Sequence, residues 1–188
     1  MSQHYHTVVI GGGIVGCSIL YHLTLMGDRD VALVERAELT AGSTWHAACN
    51  LHRMNPNVRL SRMHSYSGEL YQRVERESGQ ACSIHRPGGL YLASSRDRFD
   101  ELNLQRSRAR YLGIDFELLG LDDIRRVNPL VDTAGLYGAM FDPWDMHLDP
   151  NGLTNAFAIL ARQQGAAVHR HRPVTALTPR SRRQWRCS

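Results

Sequence analysis

The 188-residue sequence predicts an α/β protein in which helices cover a parallel sheet, and three observations carry that expectation. Residues 6–10 (HTVVI) and 30–35 (DVALVE) are short, nearly all-apolar runs, the composition of parallel strands buried on both faces. Between them, residues 11–16 form a glycine loop that opens a helix over residues 14–26. Late in the chain, residues 149–165 place Leu153, Ala156, Phe157, Leu160 and Ala161 at the spacing of an amphipathic helix.

Each element has a local reason. The helix over residues 14–26 presents Ile19, Leu20 and Leu23 on one face, and Gly27 closes its C-terminal end. A second amphipathic helix is expected from about Val58 to Glu77, with Leu60, Met63, Leu70 and Val74 inward. Residues 86–94 read as a glycine turn feeding a strand, followed by a polar helix resting on Phe99, Leu102, Ala109 and Leu112. Residues 116–120 and 135–141 read as further strands, so this middle region has α+β texture. In the late helix, Asp149 suits the N-cap and Pro150 the first helical position. Residues 166–177 are expected to return as a strand to the first sheet, and pattern is lost beyond Thr178.

Composition removes several function classes. All 22 basic residues are arginine, and four of them lie in the last nine positions, so the net charge of +4 belongs to the tail. Nucleic-acid binders concentrate charge on a folded face, so no nucleic-acid partner is expected. No apolar run reaches the roughly 20 residues of a membrane span, and no secretion signal is evident, so a cytoplasmic location and no membrane partner are expected. Cys17, Cys49, Cys82 and Cys187 have no CxxC spacing, which argues against zinc and disulfides. Asp142, Asp145, His147 and Asp149 lack the glycine and terminal glutamate of a calcium loop, and no metal is expected.

The glycine loop has a defined chemistry. Gly11, Gly13 and Gly16 match GxGxxG between a strand and a helix, and Glu35 ends the next strand. Gly11 permits the tight turn, Gly13 lets backbone approach a pyrophosphate, and Gly16 lets helix and strand pack closely. The helix N-terminus offers unpaired N–H groups to phosphate, and Glu35 suits a ribose diol while repelling a 2′-phosphate. The motif alone does not separate NAD from FAD. Residues 39–50 (LTAGSTWHAACN) then place one imidazole, His46, among small and hydroxylic residues.

Residues 8–177 resemble the flavin-dependent dimethylglycine and sarcosine dehydrogenases, within the D-amino-acid-oxidase-like group. The resemblance rests on "VVIGGGIVG", "VALVERAELTAGSTWHAA", "HRPGGLYLA" and "DPWDMHLDPNGLTNAFA". It implies a Rossmann-like FAD-binding domain of the glutathione-reductase type, with FAD carried covalently by His46 through the flavin 8α-methyl carbon. It also implies FAD contacts at Ile14 and Val15, at Glu35 and Arg36, along Gly42, Ser43, Thr44, Trp45, His46, Ala47 and Ala48, and at Val174. A neutral imidazole is the form able to make such a bond. Cys49 and Met146 depart from the pattern, standing where the family usually has glycine.

The expected organisation is an FAD-binding domain from residues 1–55 and 147–179, discontinuous and incomplete. Residues 56–146 supply a linking helix and part of an α+β substrate domain, and residues 180–188 an irregular tail. The resemblance implies oxidation of a small N-methyl amino acid, dimethylglycine or sarcosine, by hydride transfer to flavin. Tetrahydrofolate is implied for the full-length protein, and the electron acceptor is left unassigned. Later strands of the family's flavoprotein part are missing, so the chain is expected to be a truncated, non-catalytic fragment with no substrate-binding residue to name. Two alternatives stand beside this reading: a non-catalytic regulatory paralogue, and an NAD-dependent dehydrogenase, which leaves residues 42–48 unexplained.

Overall fold

The apolar runs flanking the glycine loop pair as parallel strands, and the loop turns the chain from strand into helix. The computed structural model describes residues 4–55, 57–181 and 184–187. In chain order its elements are β1 (Thr7–Ile10), α1 (Ile14–Leu25), β2 (Val31–Val34), a 3₁₀ turn (Ser43–His46), β3 (Asn50–Leu51), α2 (Val58–Ser78), β4 (Gly89–Ala93), α3 (Arg96–Tyr111), β5 (Glu117–Leu119), α4 (Leu121–Val127), β6 (Gly138–Asp142), β7 (Met146–His147), α5 (Pro150–Gln163), β8 (Ala167–His169), β9 (Leu177–Ser181) and β10 (Gln184–Cys187). They form two compact units, residues 1–49, 70–83 and 148–188, and residues 50–69 and 84–147. Among the described residues, no helix is long and apolar enough to cross a membrane.

In the first unit, β2 is the middle strand of a parallel sheet ordered β1-β2-β8. Val31, Ala32 and Leu33 are buried, as an all-apolar central strand requires. Strand β1 behaves differently: Val8 and Ile10 are exposed, so one of its faces is open among the described residues. Helices α1 and α5 pack together, with Tyr21 and Phe157 5.3 Å apart between ring centroids. Burying an aromatic side chain such as Phe157 contributes roughly 1.5–3 kcal/mol.

The buried face of α1 corrects the expected one. Cys17, Leu20, Tyr21 and Thr24 are inward, whereas Ile19 is exposed. The helix is apolar nearly all round, so hydrophobic spacing alone does not choose a face. The small Cys17 and the self-satisfied Thr24, whose hydroxyl donates to the Tyr21 carbonyl at 2.7 Å, take the packed side.

Helix α2 needs a similar correction. Leu70 and Val74 are buried, but Leu60 and Met63 are exposed. The inward positions of its first half are Ser61 and Gly68, residues that hydrophobic periodicity overlooks. A Cβ at Gly68 would overlap the Trp144 ring, so the glycine makes room for the indole.

The second unit is built on an antiparallel sheet ordered β4-β6-β5. Leu102 and Ala109 of α3 join Ala93, Ile114, Phe116 and Met140 in one core cluster, with Phe99 and Leu112 against it. The unforeseen α4 contributes Ile124 to a smaller cluster with Leu119 and Ala139. A seven-residue helix with one buried apolar side chain leaves no periodic signal. Strands β3 and β7 form a separate two-stranded pair.

Strand β8 stops at His169, short of the expected residue 177. The described part of the tail expected to be irregular, residues 180–181 and 184–187, is not: β9 and β10 pair there as an antiparallel ribbon. Leu177 and Trp185 remain exposed on it, so they give no buried apolar alternation to read. Helix α5 begins as its sequence requires, with the Asp149 carboxylate accepting from the N–H groups of Asn151 and Gly152 at 2.9 Å each. Replacing Asp149 with alanine is expected to lower stability by about 1 kcal/mol, read as a shifted urea midpoint with an unchanged slope.

Candidate functional site

The glycine loop shapes a cavity of about 650 Å³ in the first unit. Three close approaches fix the loop. A Cβ at Gly16 would overlap the Gly11 carbonyl oxygen, so α1 is able to start only from glycine at that position. A Cβ at Gly12 would lie 2.6 Å from Leu39 and 2.9 Å from Glu35, and one at Gly13 would lie 2.9 Å from the Thr44 hydroxyl. Gly11 itself has φ of 109°, a conformation open to glycine and strained for other residues.

Hydrogen bonds then fix the surrounding side chains. Glu35 accepts from the Gly12 N–H at 2.6 Å with Oε2 and from the Ala37 N–H at 2.8 Å with Oε1. Each carboxylate oxygen keeps lone-pair capacity for a further donor, the requirement for holding a ribose diol. Thr44 is buried, and its hydroxyl accepts from the Ile14 N–H at 3.0 Å, tying the 3₁₀ turn to the start of α1. That bond uses one lone pair of the hydroxyl and leaves its own O–H as a donor. Among the described residues, the N–H groups of Gly13, Val15 and Gly16 have no protein acceptor, and no acid lies in the first turn of α1. Free donors and a positive helix end suit a pyrophosphate. Behind the loop, the buried Cys17 thiol is pushed up to about 12 by desolvation.

Of the residues singled out in the sequence, Gly11, Gly13, Ile14, Val15, Gly16, Glu35, Arg36, Gly42, Ser43, Thr44 and Ala47 line this cavity. Trp45, His46, Ala48 and Val174 are not among the lining residues. Trp45, His46 and Ala48 are exposed, and Val174 is half-buried in the irregular stretch after β8. The His46 ring is clear of the core, with Nδ1 3.2 Å from the Gly42 carbonyl oxygen. A carbonyl only accepts, so Nδ1 carries the proton of the neutral ring and Nε2 the lone pair. Ala41 lines the cavity as well, and so do Val9, Ile10, Gly12, Ile19 and Ala37, which were not anticipated as contacts. Gly12 was legible in principle as the second of three consecutive glycines, but its contacts with Leu39 and Glu35 arise only on folding.

The two departures from the pattern have structural readings. Cys49 has φ of 53°, the left-handed region that favours glycine, so a residue with a side chain occupies a glycine conformation. Met146 is buried.

Residues 6–188 match the family model described as FAD dependent oxidoreductase, and the chain belongs to that family. It is 40% identical over 179 residues to mitochondrial dimethylglycine dehydrogenase of Rattus norvegicus, spanning 95% of this chain and 21% of that protein. It is 34% identical over 173 residues to mitochondrial sarcosine dehydrogenase of Homo sapiens, spanning 92% and 19%. Among solved structures, L-proline dehydrogenase from P. horikoshii superposes with a TM-score of 0.87 at 25% identity, over 95% of this chain and 47% of that one. The chain thus spans about a fifth of the length of these curated relatives.

Two outcomes follow. Gly16→Ala should cost more than about 2 kcal/mol of stability and abolish FAD binding, measured by urea unfolding and by quenching of flavin fluorescence, because the new methyl has no space to occupy. Cys17 should resist iodoacetamide at about pH 8.5 in the native chain and react after denaturation, as peptide mapping would record, because burial keeps the thiol protonated.

Proposed function

We propose that this chain serves the FAD-dependent oxidation of a small N-methyl amino acid, of the dimethylglycine or sarcosine type, with the flavin carried covalently by His46. The observation that carries the reading is the joining of the glycine loop to the Ser43–His46 turn through the Thr44 hydroxyl and the Ile14 N–H. That bond sets the free N–H donors of Gly13, Val15 and Gly16 and the His46 turn on one rigid frame.

The residues present fit an FAD. Glycines 11, 12, 13 and 16 leave the cradle free of side chains, and Glu35 faces the same cavity with two fixed carboxylate oxygens. The Gly13, Val15 and Gly16 N–H groups would hold the pyrophosphate, and Glu35 the ribose. His46 Nε2 is the nitrogen with the lone pair, so it is the atom available for attachment to the 8α carbon, while Nδ1 stays bonded to Gly42. Arg36 and Ser43 line the remainder, and Trp45, Ala48 and Val174 complete the contact set on the strength of the resemblance. Bound there, the flavin supplies hydride acceptance from a C–H bond next to nitrogen. The resulting iminium is taken up by water, or by tetrahydrofolate in the full-length protein. Names of relatives support the substrate class, since both dimethylglycine and sarcosine are N-methyl amino acids.

Acid precipitation of the chain produced with FAD tests the reading. A yellow pellet is expected from wild type and a colourless one from His46→Ala, whose flavin should appear in the supernatant. A colourless wild-type pellet would remove the covalent assignment.

A further inference from the structure

A second cavity, of about 470 Å³, lies wholly within the second unit. Its floor is the face of a core cluster, with Ala109, Ile114 and Phe116 buried and Met54 and Leu112 packed against them. Val58 and Leu104 line it too and are exposed, at 44% and 51%, so apolar side chains continue out to the mouth. Volumes of roughly 300–1,000 Å³ with mostly apolar walls are usual for small-molecule sites. Side-chain bonds to backbone hold these walls in place. Ser61, buried on α2, donates from its hydroxyl to the Asn55 carbonyl at 3.0 Å and fixes the segment that leads into the helix. Arg106 on α3 donates from Nε to the Phe116 carbonyl at 2.9 Å and fixes the segment that enters β5.

Three charged side chains line the cavity, Arg53, Glu101 and Arg108, and two of them are committed elsewhere. Arg53 donates to the buried Asp142 from Nη2 at 2.6 Å and from Nε at 3.3 Å. That pair belongs to a polar network in which the neighbouring Asp145 accepts from the Tyr91 hydroxyl at 2.8 Å and faces His52 Nδ1 at 2.7 Å. Glu101 accepts from Arg98 Nη1 at 2.6 Å with Oε2 and from Gln105 Nε2 at 3.0 Å with Oε1. Arg108 is exposed and has no acceptor among the described residues. The mouth therefore offers one uncommitted guanidinium and no carboxylate without a partner.

We propose that this cavity binds a medium-chain alkyl carboxylate, its chain against Met54, Leu112, Ile114 and Phe116 and its anionic end on Arg108. A guanidinium presents paired N–H donors that match the two oxygens of a carboxylate, and it stays charged at any physiological pH. The apolar walls stabilise the chain in proportion to the area they cover. A single apolar chain with one negative end matches apolar walls with one free cation at the rim. A zwitterionic amino acid does not, because its ammonium would meet only a Glu101 already bonded through both oxygens. The site shares no residue with the flavin cradle and does not rest on the flavin reading.

Calorimetric titration of the full chain with octanoate, decanoate and dodecanoate, each below its micelle concentration, tests the assignment. Each added methylene should tighten binding about fourfold until the cavity is filled. Arg108→Gln should weaken decanoate about 10-fold and leave decanol, which has the chain without the charge, unchanged. Because Arg108 is exposed, this variant should keep the urea midpoint of the wild type. Val58→Asp sets a like charge at the mouth and should weaken decanoate more than decanol. A wild type with no saturable decanoate binding overturns the proposal. So does an Arg108→Gln variant that binds decanoate as wild type does, or that loses decanoate and decanol equally. A dimer by sedimentation that takes up no decanoate, and that Leu104→Glu disperses, assigns the mouth to a second copy of the chain and overturns it as well.

Discussion

The approach of the Gly16 Cα to the Gly11 carbonyl is the constraint on which the sheet-bearing unit depends. It lets α1 begin directly above the end of β1, and it exposes the first N–H groups of the helix on one side of the loop. Everything else at the cradle is arranged around that start. Thr44 braces it from the 3₁₀ turn, and Glu35 braces it from the end of β2 through the Gly12 N–H. The same residues that hold the loop therefore also leave its N–H donors without protein acceptors among the described residues.

The polar network of the other unit works by a different principle. Rigidity at the loop comes from the absence of side chains, whereas at Asp142 and Asp145 it comes from satisfying buried charge. Arg53 does this for Asp142 and also lies 4.9 Å from the centroid of the Trp144 ring, so one guanidinium orders both the acid and the indole. Breaking one member of a buried pair leaves an uncompensated charge, at a cost of roughly 3–5 kcal/mol. The acidic residues that resemble metal ligands in the sequence are instead partners of Arg53, His52 and Tyr91, or, for Asp149, a helix cap.

What was legible in the sequence was local. The β1–loop–α1–β2 segment and Glu35 lie within 35 residues, and each step of that path has a residue-level cause. The start of α5 was legible for the same reason, since Asp149 and Pro150 act on their immediate neighbours. Faces were harder. An apolar residue such as Ile19 looks inward by type, and only packing against α5 shows that Cys17 and Thr24 take its place. The His52–Asp145 and Arg53–Asp142 pairs join positions 93 and 89 residues apart, and no spacing rule reaches that far. Tail strands β9 and β10 were missed because their described apolar side chains, Leu177 and Trp185, stay exposed and create no pattern.

The discontinuity of the first unit has a kinetic consequence. Strand β2 finds its second neighbour, β8, only after more than 130 further residues have been made, while the β4–β6–β5 sheet of the second unit closes within a single stretch of chain. Pairings between distant segments fold slowly because the loop between them must first be ordered. On the ribosome, the contiguous sheet is therefore ready early, and the opening strand–loop–helix waits with its apolar surface uncovered until α5 and β8 emerge. Through that interval the nascent chain presents its greatest need for chaperone protection.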